Sequence, residues 1–224
     1  MTFLTILLAL LPGIVWLLFY LQEDRHPEPK RLLALVFLLG MVWAVIAFVA
    51  EKLMNPILLG IGGGRLTVFA LVVLALVEEL AKFAAAYLTV YRSRAFDEPV
   101  DAMIYMVVAA LGFATVENIG AVHATPEGLT LLGNIFETIS FRFVGATLLH
   151  VLASALVGFY WAKSIRGFGA RSILLRGIVF ATILHSFFNY LILSYGNIAY
   201  AIIAVVIVGF FMLNDFEKLR TRNI

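Results

Sequence analysis

The sequence has 224 residues, of which 63% are hydrophobic and 13% are charged, and its mean hydropathy is +1.03. Ordinary soluble domains are roughly half apolar, so these values exclude a soluble domain and indicate a polytopic membrane protein. The absence of cysteine excludes thiol nucleophiles, thiolate metal sites and disulfides. The net charge of +2 is small, and the placement of the charges is therefore more informative than their sum.

Seven apolar runs are long enough to cross a bilayer as helices, and they predict an all-α bundle in a single integral-membrane domain over residues 1–224. The runs cover residues 2–21, 32–50, 66–91, 100–122, 139–162, 173–195 and 198–213. The first run lacks a basic n-region and a small-residue cleavage site, so we expect a retained helix and not a signal peptide.

The positions of Lys and Arg predict that the N-terminus lies outside and the C-terminus in the cytoplasm. With alternate loops assigned to the cytoplasm, twelve basic residues fall inside and only Lys52 and Arg65 fall outside. Lys82 and Arg142 lie within predicted spans. Arg142, and also Asp101 at the inner end of the fourth span, are more typical of interfacial groups than of catalytic ones.

Two segments are predicted as outer loops. The sequence GIGGG at residues 60–64 breaks helix geometry, and residues 124–138 form the longest outer loop, without Lys or Arg. We find no domain-sized soluble segment, internal repeat, phosphate-binding glycine motif or basic patch suited to nucleic acid. The lipid bilayer is therefore the only partner that composition alone predicts.

The third span carries Glu78, Glu79 and Lys82 in an otherwise apolar run. Each intramembrane charge costs roughly 2.5–3.5 kcal/mol, so this helix is not expected to face lipid on all sides. Glu78 and Lys82 lie one turn apart and can pair, whereas Glu79 is rotated by about 100° and needs another partner or a proton. The alternative to a functional site is an ion pair that only fixes helix packing.

Further polar residues lie in the next three spans: Glu117 near the outer end of the fourth, His150 in the middle of the fifth, and His185 with Asn189 one turn later in the sixth. Each has a structural alternative, as a satisfied core histidine, a polar cap at a helix end or an interhelical hydrogen bond.

Depth in the membrane tests whether these residues belong together. At 1.5 Å per residue from the cytoplasmic ends, the glutamates of the third span lie at about 18–20 Å, both histidines at about 18 Å and Glu117 at about 24 Å. Four helices thus bring carboxylates and imidazoles to one level, which predicts a shared site.

Two chemistries fit this set. A glutamate can act as general base on a water while His and Asn hydrogen-bond the oxyanion. Alternatively, His150, His185 and one or both of Glu78 and Glu79 can bind a metal such as Zn²⁺, with a remaining glutamate as base. We favour the metal because Lys82 can neutralise only one of the paired carboxylates. The sequence has no HExxH motif, and spacing cannot confirm ligands on separate helices.

Five segments, in order, resemble the PrsW family of bacterial membrane proteases, which is related more distantly to the CAAX prenyl endopeptidases. They are EDRHPEPKRLL at residues 23–33, EELAK at 78–82, DAMIYMVVAALGFATVEN at 101–118, FRFVGATLLH at 141–150 and HSFFN at 185–189. The resemblance implies a multi-pass endopeptidase of the inner (cytoplasmic) membrane that makes the first cut in a single-pass anti-sigma factor.

Carried over by position, Glu78 and Glu79 match the family's paired catalytic glutamates and His185 its later essential histidine. The other matching polar positions, also candidate catalytic residues, are Glu117, His150 and Asn189. The resemblance leaves a metal and a glutamic mechanism open. The alternative functions are a proton- or ion-coupled transporter, against which the chain shows no inverted repeat of interrupted helices, and an inactive binder of single-span helices.

Overall fold

A computed structural model describes residues 3–21, 28–62, 67–124, 131–166, 170–195, 199–207 and 209. The described residues are predominantly helical and contain no β-strand, which confirms the all-α class. The helices are α1 (Phe3–Leu21), α2 (Lys30–Ile61), α3 (Val68–Val90), α4 (Pro99–His123), α5 (Leu131–Val144), α6 (Ala146–Arg166) and α7 (Ala170–Tyr195). Residues 199–207 are also helical.

Helix α4 forms the centre of the bundle. Every residue from position 100 to Thr115 is buried, and the helix packs against α1, α2, α3, α5 and α6. Glycines permit the closest approach, since a Cβ on Gly112 would collide with the backbone of α2 and one on Gly40 with the backbone of Ala109. Such small-residue contacts are typical of membrane helices, where close packing replaces the hydrophobic effect as the force between helices.

Membrane insertion is supported by the outer surface of the bundle. Four described stretches combine spanning length with high hydropathy: Lys30–Ile61, Pro99–His123, Asn134–Ile165 and Ser172–Tyr195. Helix α3 has 23 residues but carries three charges in its middle. Large apolar side chains such as Leu38, Leu88 and Ile183 are exposed, as expected for lipid-facing positions. The chain is a multi-pass membrane protein, while the count of seven spans and the orientation stay predictions.

The predicted end of the second span at residue 50 is wrong, because α2 continues through Pro56 to Ile61. Glu51 and Lys52 end the apolar run but not the helix, since Glu, Lys, Leu and Met all have good helix propensity. The helix ends at Ile61 with Gly62 as its C-cap, inside the predicted GIGGG break, and residues 63–66 lie outside the described part of the chain.

The predicted outer loop 124–138 is also partly wrong, because α5 begins at Leu131. Ile135 and Ile139 lie one turn apart and pack against Ala9 and Val122, so an apolar stripe stabilises this segment as a helix. Residues 125–130 of the predicted loop are not among those described.

The predicted fifth span is divided between α5 and α6 at Gly145 alone. The Gly145 N–H donates to the Phe141 carbonyl at 2.8 Å, and the Gly145 carbonyl accepts from the Leu149 N–H at 2.9 Å. The helical hydrogen-bond pattern therefore continues across the joint. Of the predicted seventh span, residues 199–207 and 209 are helical and the others lie outside the described ranges.

The topology prediction can be tested with single cysteines, because the chain has none of its own. We expect Gly128→Cys to react with a membrane-impermeant maleimide in intact cells, and Phe168→Cys to react only after permeabilisation. Labelling of both positions from the same side would contradict the seven-span arrangement.

Candidate active site

Five of the predicted site residues meet in one cluster, called here the polar cluster: Glu78 and Glu79 from α3, Glu117 from α4, His150 from α6 and His185 from α7. The bundle brings them together because α3 packs against α4 and α7, and α6 against α4 and α7. Four helices thus contribute to one cluster, as the depth argument predicts.

Each histidine of the polar cluster is held by a carboxylate. His185 Nδ1 lies 2.9 Å from Glu79 Oε1, and His150 Nε2 lies 2.7 Å from Glu117 Oε2. An ionised carboxylate only accepts, so in each pair the ring N–H donates and the other ring nitrogen keeps a free lone pair. In agreement, the buried Nδ1 of His150 has no hydrogen-bond partner among the described residues.

The two free ring nitrogens face Glu78. Its Oε2 lies 3.9 Å from His150 Nδ1 and 3.7 Å from His185 Nε2, and the three atoms lie within 4.8 Å of one another. Zn²⁺ bonds of about 2.0–2.1 Å place tetrahedral ligands roughly 3.4 Å apart, so the two Glu78 contacts, at 3.9 and 3.7 Å, are each within about 0.5 Å of that separation. The donor set and the unpartnered Nδ1 therefore fit a metal ion. Glu79 does not belong to this group of three.

Lys82 pairs differently from the prediction. Its Nζ lies 2.7 Å from Glu79 Oε1 but 3.5 Å from Glu78 Oε2, and it sits 4.7 Å from the centre of the Phe113 ring. The sequence argument assigned Lys82 to Glu78, yet i, i+3 neighbours also share a helix face. Glu79 receives Lys82 and His185 on one oxygen, and Glu78 is left with longer contacts only.

Replacing Lys82 with alanine is expected to destabilise the fold by roughly 3–5 kcal/mol, because it strips a buried carboxylate of its cation. The Lys82 side chain is 0% exposed, as is that of Glu79. The measurement is the thermal unfolding midpoint and monodisperse yield in detergent, with Lys52→Ala on the exposed surface of α2 as control. Adding Glu79→Gln to Lys82→Ala should recover part of the loss. A Lys82→Ala protein as stable as the wild type would contradict the ion-pair interpretation.

Arg142 joins the polar cluster, although its position near a helix end suggested an interfacial role. Its Nη2 donates to Glu117 Oε2 at 3.0 Å, and its Nε donates to Asn118 Oδ1. Asn118 in turn donates to Thr147 Oγ1 at 3.2 Å, which ties α4 to α6. The available sequence signal was that Glu117 and Arg142 both lie near the outer ends of successive spans.

Two other polar residues are placed outside the cluster. Asp101 accepts from the backbone N–H groups of Asp97 and Glu98 at 2.9 and 2.7 Å, so it caps the start of α4, at the opposite end of that helix from Glu117. Asn189 is half-buried one turn beyond His185 and makes no side-chain hydrogen bond within the described part of the chain. Its predicted oxyanion role remains a prediction.

A cavity of 690 Å³ lies beside the polar cluster, between α2, α4 and α5; we call it the outer cleft. It is lined by Ala44, Phe48, Glu51, Phe113, Val116, Glu117, Gly120, Ala121, His123, Ala124 and Arg142. The Glu117 side chain is 31% exposed and those of His150 and His185 are 3% exposed, so the cluster is reached from the Glu117 side. Sequence reasoning missed Glu51, because it placed that residue in a loop.

Comparison with known proteins places the chain in a family. Residues 28–213 match the PrsW family intramembrane metalloproteases. The relatives include Protease PrsW of Geobacillus kaustophilus, 33% identical over 68% of this chain and 63% of that protein. Protease PrsW of Bacillus subtilis is 29% identical over 95% of this chain and 94% of the relative, and that of Clostridioides difficile 27% over 93% and 87%.

No solved structure matches the chain. The matched relatives are named as proteases, which favours a peptide hydrolase over the transporter and the inactive binder. From its sequence match over residues 28–213, the chain belongs to the PrsW family of intramembrane proteases and is a membrane protease.

Proposed function

We propose that the protein is an endopeptidase of the cell's inner membrane that makes the first cut in a single-pass anti-sigma factor. The observation that supports hydrolysis most directly is the arrangement of Glu78, His150 and His185, with a second carboxylate behind each imidazole. The substrate class comes from the resemblance to the family. The outer cleft further supports proteolysis, since a peptide needs access to a cluster that is otherwise buried.

Glu78 Oε2, His150 Nδ1 and His185 Nε2 are the atoms that would hold a metal ion in this proposal. When bound, a divalent ion such as Zn²⁺ would supply an activated water and polarise the scissile carbonyl. Glu79 and Glu117 fix the tautomer and orientation of the two imidazoles by accepting their outward N–H groups, as second carboxylates do at metal-binding histidines.

Glu79 is the residue to which we assign proton transfer. Its Oε1 is held by Lys82 and His185, whereas its buried Oε2 has no partner within the described ranges. That oxygen is free to take a proton from the attacking water and to return it to the leaving amine. Without a metal, Glu78 would take the proton, and His185 with Asn189 would hydrogen-bond the oxyanion.

The test is cleavage by purified protein in nanodiscs of a single-pass anti-sigma factor, with the products mapped by mass spectrometry. We expect one defined first cut. The matched control is Glu137→Gln, because Glu137 is an exposed glutamate of α5 outside the polar cluster. Intact substrate after prolonged incubation with well-folded enzyme would overturn the proposal.

A further inference from the structure

The outer cleft leads directly to the polar cluster. Phe113 lines the cleft, and its ring also lies 5.8 Å from the His150 ring and 4.7 Å from Lys82 Nζ. Glu117 and Arg142 line it as well, and both side chains are partly exposed there. A chain segment lying in the cleft would therefore lie beside the proposed catalytic groups.

Glu51 stands apart from the other charged groups of the cleft. It is half-buried on the extension of α2, and its buried Oε1 has no hydrogen-bond partner among the residues that the structure describes. It is nevertheless close enough to Glu78, Glu117 and Lys82 to interact with them electrostatically. A buried polar atom without a partner is costly, so Glu51 has free capacity to accept a hydrogen bond.

The charged residues that line the cleft indicate which kind of ligand group would pair with Glu51. Two carboxylates, Glu51 and Glu117, and one guanidinium, Arg142, line its walls, with His123 exposed at the rim. Arg142 already binds Glu117 and Asn118, and Glu117 also accepts from His150. Arg142 is therefore already paired with Glu117. Among the described residues that line the cleft, Glu51 is the carboxylate without a cation bound to it.

We propose that the outer cleft receives the substrate segment next to the scissile bond, and that Glu51 is a specificity-determining residue that selects a Lys or Arg side chain in it. This inference rests on the proposed proteolysis. Ala44, Phe48 and Val116 give the cleft apolar walls, which suit the aliphatic stem of a basic side chain while its charged end reaches Glu51. The ion pair would supply the hydrogen bond that Glu51 lacks.

The charge of the cleft can be measured without proteolysis. Gly120 lines the cleft, and a Cβ there would meet nothing within 4 Å, so Gly120→Cys places the chain's single thiol in open space. The probes are a trimethylammonium-ethyl and a sulfonatoethyl methanethiosulfonate, matched in reactive group. We measure the ratio of the reaction rates of the cationic and the anionic probe. We expect this ratio to be higher at Gly120→Cys than for a free thiol in solution.

Adding Glu51→Gln should lower that cation preference at least about tenfold, because Glu51 lines the same cleft and a unit charge there acts through a lower effective dielectric than in bulk water. Glu137→Gln, on the exposed face of α5, should leave it within about twofold. An unchanged preference in Glu51→Gln would overturn the assignment of Glu51.

Selection is then measured by cleavage of three single-pass substrates that differ only in carrying Lys, Gln or Glu, scanned through the residues flanking the cut. At one position the wild type should prefer Lys, mainly through KM, by about tenfold over Gln. Glu51→Gln should abolish the preference yet still cut the Gln substrate, and Glu51→Lys should reverse it toward Glu. A preference that is absent, or that survives both substitutions, would overturn the inference while leaving proteolysis established. Failure of the wild type to cut any substrate would overturn both.

Discussion

Replacing Glu78 with glutamine is expected to lower substrate cleavage by about 10²–10⁴-fold while leaving the protein folded in the membrane. The amide keeps the shape of the side chain but offers a far weaker donor atom at the point where Oε2 faces His150 and His185, 3.9 and 3.7 Å away. Glu79→Gln should lose activity by a similar factor, because the buried Oε2 that we assign to proton transfer becomes an amide. The measurement is initial cleavage rate in nanodiscs, normalised to folded protein.

His185→Ala belongs to the same experiment and should also lower the cleavage rate at least about 10²-fold. It removes an imidazole whose two ring nitrogens contact Glu78 and Glu79, one each. Residues that act as a unit are strongly non-additive, so Glu78→Gln combined with His185→Ala should be little slower than either alone. Glu137→Gln is the control. Near-normal activity in any one of the three single variants would remove that residue from the catalytic group.

The sequence predicts which residues cluster better than it predicts where the helices end, for a physical reason. An ionisable group in hydrocarbon is costly unless it has a polar partner or water. Because Glu78, Glu117, His150 and His185 have similar predicted depths, they are the partners available to one another. Helix ends carry no comparable penalty. Thus α2 continues 11 residues past the predicted end at residue 50, and Glu51 moves from a supposed loop to the wall of the outer cleft.

The partner of each charged side chain was harder to predict than its membership of the cluster. Spacing on α3 paired Lys82 with Glu78, whereas its shorter contact to Glu79 goes with the approach of His185 to Glu79 from α7, which no local pattern encodes. Arg142 is a similar case. The charge of Arg142 near a helix end is typical of a membrane interface, and only the packing of α5 beside α4 turns it toward Glu117.

Bound metal is expected to disappear together with activity in His150→Ala. His150 contributes one of three atoms that lie within 4.8 Å of one another, and two remaining ligands are too few for a stable protein site. The Phe113 ring lies 5.8 Å from the imidazole and offers no ligand atom on that side of the truncated site. The measurement is metal content by mass spectrometry of protein purified without chelators, beside its cleavage rate. Glu137→Gln should keep both.

The variant Glu117→Gln tests whether Glu117 binds the metal itself or only positions the ligand His150. Glu117 accepts from His150 Nε2 at 2.7 Å but is not one of the three converging donors, so its loss should weaken metal affinity about 10–100-fold and be rescued by added Zn²⁺. His150→Ala should not be rescued at the same concentration. Chelation should inactivate the wild type reversibly, with metal content and cleavage returning together on titration. Full activity in protein shown to be metal-free would contradict the metal assignment, and a water activated by glutamate, with His185 and Asn189 beside the oxyanion, would then be the mechanism that the same residues support.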